Sequence, residues 1–157
     1  MTSLEPLPPV TVETLELVTV RLPLATPLTS AAGERRARTV LLVHLVAQEA
    51  EGWAECVAEA NPTYAPEFVE GASLVLRDHL APRAWAGPIG DALALGAVLD
   101  EVRGHPMAKA ALELAVLDAQ LRAAGRSLAD WLRRPPPPPP PPGRARPRAP
   151  RPPPRTR

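Results

Sequence analysis

Along the first third of the chain, apolar residues recur at every second position, and that repeat changes phase once. Leu15 and Leu17 flank Glu16, whereas Val18, Val20 and Leu22 alternate with Thr19 and Arg21 on the opposite parity. The pattern predicts a strand over about 11–22, with a bulge between 17 and 18 to absorb the slip. Residues 23–33 contain Pro23, Pro27, several small residues and Gly33, and residues 34–38 are highly charged. This reads as a long exposed loop. The apolar run from Thr39 to Val46 suits a strand buried on both faces, and a turn over 48–52 leads into a third strand at 53–59. Three such strands form a small antiparallel meander, preceded by a proline-rich stretch, Leu4 to Pro9, that is expected to be loose.

Beyond Pro66 the period lengthens. Phe68, Ala72, Val75 or Leu76, and Leu80 follow one helical face, with Pro66 in the first turn and Pro82 as the stop. A second helix is predicted over 90–103. The strongest stripe is Met107, Ala111, Leu114, Leu117 and Leu121, widened by Leu112 and Val116, so this third helix is expected to be buried over much of its circumference. Gly104 closes the helix before it, Pro106 suits its first turn and Gly125 its end, while Asp118 and Arg122 are spaced to pair at i, i+4. Strands first and helices afterwards, with no internal repeat, give an α+β class: a three-stranded antiparallel sheet plus a helical bundle.

Composition changes the picture only at the end of the chain. Residues 135–157 hold 13 prolines and 6 arginines among 23 residues, opening with eight consecutive prolines, which form a polyproline II rod rather than a packed element. The formal charge of +1 belongs to this tail, because residues 1–134 carry 12 basic against 17 acidic side chains. The body therefore gives no support to nucleic-acid binding. No apolar run approaches the roughly 18 residues of a membrane span, and the N-terminus has no signal-peptide pattern, so no membrane association and a cytoplasmic location are expected.

Candidate chemistry is sparse. Cys56 is the only cysteine, which excludes an internal disulfide and paired zinc ligands; it reads as a buried structural thiol. His44, His79 and His105 lack metal-ligand spacing, Glu55 reads as a solvated or backbone-satisfied strand carboxylate, and Trp53 reads as a packing residue.

Several strings nevertheless resemble one family. Glu51-Gly52-Trp53-Ala54-Glu55-Cys56, the entry Arg21-Leu22-Pro23-Leu24 with Pro27, the segment Tyr64 with Glu67 and Phe68, and the stretch from Gly104-His105-Pro106-Met107-Ala108-Lys109 to Ala115-Val116-Leu117-Asp118-Ala119 are similar to the o-succinylbenzoate synthase and N-acylamino acid racemase group of the enolase superfamily. The likeness covers about residues 15–132. It implies an N-terminal capping domain whose loops close over the mouth of a following TIM-like barrel. It also implies a small carboxylate substrate, and either dehydration giving o-succinylbenzoate in menaquinone biosynthesis or N-acylamino acid racemisation. Both proceed by abstraction of a proton α to a carboxylate, with Mg²⁺ stabilising the enediolate.

By the same resemblance, the base and metal ligands lie in the barrel. No catalytic residue and no metal ligand is assigned to this chain, and Lys109, its sole lysine, matches a non-catalytic position. What the cap contributes by resemblance is substrate specificity, at Thr29, Ser30, Gly33 and Tyr64. The first of these loops, Pro27-Leu28-Thr29-Ser30-Ala31-Ala32-Gly33, lacks the two aromatics and the arginine usual in the group. The implied organisation is a flexible N-terminus at 1–10, a capping domain at 11–104, a lead-in helix at 105–132 to an absent barrel, and a disordered tail at 133–157. The tail's alphabet is that of a shifted reading frame in a G+C-rich gene, so a frameshift near Arg133 to Pro135 is expected, with a chain inactive by itself and free to self-associate through its barrel-facing surface. The competing reading is a non-catalytic interaction protein whose tail binds SH3- or WW-type grooves.

Overall fold

A computed structural model describes residues 6–30, 33–85, 89–90 and 92–132. Three strands, β1 (Val12–Ser30), β2 (Gly33–Ala47) and β3 (Glu51–Cys56), form an antiparallel sheet in the order β1-β2-β3. The helical part comprises α1 (Val69–Val75), a π-helical turn (Leu76–Leu80), α2 (Ala81–Ala84), α3 (Ala92–Leu99), α4 (Pro106–Ala123) and α5 (Leu128–Trp131). The core lies between sheet and helices, where Leu41, Val43 and Leu45 meet Leu76, Leu80, Leu112 and Val116, all fully buried. The α+β class, with a three-stranded antiparallel sheet and helices, is the observed one. The Pro/Arg tail lies outside the described residues.

The phase change in β1 does not produce a bulge at 17/18. The register runs unbroken from Thr14↔Val46 to Pro23↔Ala37. Leu15 and Leu17 pack against the core, so Val18 and Val20 fall on the sheet's other face, opposite Leu42 and Val40. The large irregularity comes later, between Pro23 and Leu28, where residues 24–27 stand opposite Arg36 alone. Pro23 and Pro27 cannot donate to a ladder, which is why the strand gives way there. The expected loop is instead, as far as it is described, the far half of a long hairpin, β1 running to Ser30 and β2 starting at Gly33. The third strand is also earlier than the sequence pattern placed it.

Pro82 does not stop the first helix. The chain passes through the π turn, with the Ala81 N–H donating to the Leu76 carbonyl, and Pro82 enters the first turn of α2. The wider turn removes the carbonyl clash that a proline meets inside an α-helix. The second helix is shorter than the predicted 90–103 span. The ends of α4 follow the prediction: Pro106 is in its first turn, and Gly125 at φ 64° closes it, its N–H on the Arg122 carbonyl and the Arg126 N–H on the Leu121 carbonyl. Leu114 of the expected stripe is exposed, and the buried face turns instead through Ala108, Leu112, Ala115, Val116 and Ala119, where small residues let the sheet approach. Asp118 and Arg122 pair at 2.8 Å.

Three side-chain features lock α4 into place. Gly52 on β3 faces the α4 backbone so closely that a Cβ there would lie 2.0 Å from the Ala115 carbonyl oxygen. Glu67, 6% exposed, accepts from the Met107 and Ala108 N–H groups at 2.9 and 3.0 Å, capping a helix whose own N-cap, His105, provides no side-chain acceptor. Gln120, fully buried, accepts from the Ala92 N–H and donates to the Pro8 and Ile89 carbonyls. Part of the stretch expected to be loose is thereby tied down: Leu7 packs on the core and Val10 is buried against Ile89.

Candidate functional site

The far half of the hairpin stands beside the segment that leaves β3, and between them lies a cleft of about 800 Å³. Leu24, Leu28, Arg35 and Arg38 line it from the hairpin, and Glu59 and Asn61 from the other side. Arg35 and Arg38 both reach toward β3 and the chain that leaves it. Arg35 makes a two-pronged bond to Glu59, Nη1 to Oε1 at 2.6 Å and Nη2 to Oε2 at 2.8 Å, while Arg38 pairs with Glu55. The Glu59 backbone carbonyl accepts from the Val69 N–H at 2.8 Å, so Glu59 connects the hairpin arm to the start of α1. The guanidinium of Arg35 holds the Glu59 carboxyl below its usual range, and that carboxylate raises Arg35 in return.

Thr29, Ser30 and Gly33 come together at the hairpin end, where Thr29 faces Glu34 and Ser30 faces Gly33. Gly33 has φ 106°, a conformation that side chains disfavour, so the turn needs glycine here. Tyr64 sits on the second segment, 87% exposed. Its neighbours Asn61 and Thr63 line the cleft, and the described lining does not include Tyr64 itself. Nor are Thr29, Ser30 and Gly33 among the described lining; along the chain they lie between the lining residues Leu28 and Arg35. The arginine–glutamate pairs that join those segments carried no local signal: a charged run at 34–38 does not say which carboxylates it will meet.

Elsewhere, His44 lies on the sheet face away from the helices, stacked on Trp53 with ring centroids 3.8 Å apart, and bonded to Glu16 at 2.8 Å and Glu51 at 3.2 Å. The Glu16 carboxylate, aided by Glu51, raises its pKa above the usual 6.5 against the opposing effect of burial. Cys56 is buried, and burial pushes its thiol up, away from nucleophilic use. Among the described residues, no three His, Cys, Asp or Glu side chains are grouped to hold a metal ion. The donor set that a hard dication such as Mg²⁺ requires is not present there. No helix among them is long and apolar enough to cross a membrane.

Comparison with known proteins adds the following. Residues 12–132 match the family model of the mandelate racemase / muconate lactonizing enzyme N-terminal domain. An N-succinylamino acid racemase from Amycolatopsis is 44% identical over 115 residues, covering 73% of this chain and 31% of that protein. An o-succinylbenzoate synthase from Enterococcus faecalis is 31% identical over 121 residues, covering 76% and 33%. Among solved structures, an enolase-superfamily member from Listeria innocua superposes with a TM-score of 0.73 at 29% identity, covering 78% of this chain and 33% of that one. Muconate lactonizing enzyme from Pseudomonas fluorescens, complexed with muconolactone, gives 0.65 at 26% identity, covering 73% and 32%. The chain spans about a third of the length of the curated relatives it matches.

Proposed function

Because this chain belongs to the mandelate racemase / muconate lactonizing enzyme family, carrying its N-terminal domain over residues 12–132, we propose that it is the substrate-enclosing cap of an enzyme of the o-succinylbenzoate synthase or N-succinylamino acid racemase type. The substrate class is a small carboxylate, and the reaction begins with removal of the proton beside that carboxylate. The cleft between the hairpin and residues 57–63 faces the part of the substrate that does not react. Its contribution is to exclude water and fix orientation, which strengthens electrostatic interactions and lowers the entropic part of the barrier. The base and the Mg²⁺ ligands come from outside the described residues, and no step is assigned to the metal on this chain.

The observation that carries the reading is the position of the match. The N-terminal domain model covers residues 12–132, and a racemase and a synthase each match about three-quarters of this chain over about a third of their own length. The racemase and the synthase readings are not separated by the cap, since relatives of both names match a similar share of this chain.

Two assays test it. The purified chain, supplied with Mg²⁺ and N-succinylamino acids, is expected to give no racemisation; chelator-sensitive turnover would overturn the division of labour. Coexpressed with the Amycolatopsis racemase lacking its own N-terminal third, the chain is expected to restore racemisation. Failure of a well-folded, associated pair to do so would refute the cap assignment.

A further inference from the structure

Beyond the three-stranded sheet the hairpin continues as a ribbon of two strands. β3 pairs with β2 from Leu41↔Cys56 to Val46↔Glu51, so residues 33–40 of β2 are laddered to β1 alone. Within the ribbon the register breaks between Pro23 and Leu28, and pairing resumes at Leu28↔Arg35. A two-stranded ribbon is marginal in water, and a break in its ladder weakens what holds its outer end at a fixed angle to the core. Arg35 lies on the outer side of that break, whereas Arg38, opposite Leu22, lies on the inner side. Among the described ion pairs, Arg35–Glu59 is therefore the one that ties the ribbon past the break to another segment; Arg36 reaches Glu34 on its own strand. The guanidinium engages both carboxylate oxygens, at 2.6 and 2.8 Å, a fork that fixes direction as well as distance. Glu59 is itself anchored. Its neighbour Ala58 is buried, its carbonyl accepts from the Val69 N–H, and it bridges to Phe68, the N-cap of α1. Core, Glu59, Arg35 and ribbon thus form one mechanical series, and both charged residues line the cleft of about 800 Å³.

We propose that the Arg35–Glu59 pair is a clasp that sets the width of this cleft and thereby determines the size of the non-reacting group that the cap accepts. The inference rests on the cap reading above. With the clasp shut, Leu24 and Leu28 on the ribbon are held at a fixed distance from Val57 and Ala60 on the facing segment. Released, the ribbon swings about the break at 24–27 and the cleft admits bulkier groups. The pair acts by positioning the wall and is assigned no contact with the reacting atoms. Surface ion pairs contribute little to global stability, so the clasp can be opened without unfolding the chain.

The first measurement is amide hydrogen exchange of the full 157-residue chain, read by mass spectrometry on peptides covering 33–38 and, in the core, 41–45. Arg35→Gln alone, or Glu59→Gln alone, is expected to speed exchange over 33–38 about fivefold and to leave 41–45 unchanged. The reciprocal swap, R35E with E59R, is expected to return the rate to within about twofold of wild type, and Arg36→Gln to leave it at wild type. Unchanged exchange in the single variants overturns the proposal. So does an equal rise over 41–45, or a swap that fails to restore the rate. The second measurement uses the chain coexpressed with the truncated Amycolatopsis racemase. There the ratio of kcat/KM for N-succinylphenylalanine to that for N-succinylalanine does not depend on how much of the pair is folded. Glu59→Gln is expected to raise that ratio about tenfold and the swap to return it. A ratio that Glu59→Gln leaves unmoved overturns the proposal. If the wild-type pair does not turn over, the cap reading falls and the exchange result alone decides the clasp.

Discussion

Glu67 and Gln120 are the two polar side chains that most constrain the helical layer, and each does so through backbone groups rather than other side chains. Both Glu67 oxygens are occupied by the first N–H groups of α4, at 6% exposure. Glu67→Ala leaves those donors buried without an acceptor, and the expected loss is about 2–3 kcal/mol of unfolding free energy, measured by urea denaturation. Glu67→Gln, which keeps one acceptor oxygen, is expected to lose about half as much. An alanine variant within about 0.5 kcal/mol of wild type would remove the capping role. Nothing in the local sequence marks either residue. Glu67 lies forty positions from the first backbone N–H it accepts, and Gln120, though it follows Leu112 and Val116 on the apolar face, gives no sign of which backbone groups it will meet.

At the scale of elements, the contact between β3 and α4 governs how close sheet and helix come. Gly52 permits it, since a Cβ would stand 2.0 Å from the Ala115 oxygen and 2.7 Å from the Ala119 nitrogen, both backbone atoms that cannot rotate aside. Gly52→Ala is therefore expected to destabilise the fold by at least about 3 kcal/mol, or to abolish it, judged by the thermal transition. A fully stable alanine variant would mean that α4 sits farther from the sheet. The same element pair shows why the strand begins two residues before its sequence pattern does. The first residues of β3, Glu51 and Gly52, are a charge and a glycine, which suggest a turn in isolation, yet here they pair with Val46 and Leu45.

For the whole molecule, the titrating groups set a pH window. His44 is raised above its usual 6.5 chiefly by Glu16, so its contribution to stability is full below that value and is lost as pH rises through the folded value. Glu59, held down by Arg35, and Asp78, held down by Arg77, act oppositely: their contribution is present above the usual 4.5 and 3.8 and is lost as pH falls through the lowered values. Stability is expected to be greatest between these limits, near pH 5 to 6, and to decline as pH rises from 6.5 through the raised value of His44. In His44→Gln the decline on the alkaline side is expected to flatten, as read from urea midpoints at several pH values. An unchanged slope would show that the Glu16–His44–Glu51 row is not coupled to folding.

The sequence by itself determined the class of fold, the order of its elements, the extent of α4 and the family. These follow from periodicities and end signals that act within a few residues: the apolar stripe from Met107 to Leu121, the proline at 106, the glycine at 125. Thr29, Ser30, Gly33 and Tyr64 lie in motifs that can be matched without coordinates, but the cleft beside them is lined by other residues, among them Leu28, Arg35, Glu59 and Asn61. Only the tertiary structure decided what those segments do to one another. The two apolar parities of β1 could be reconciled by a bulge at 17/18 or by two faces, and the helical layer, which covers Leu15 and Leu17 but not Val18 or Val20, selects the second. Likewise Arg35 meets Glu59 across 24 positions of chain, a partnership fixed by the path of the hairpin and of α1 rather than by any local preference of either residue.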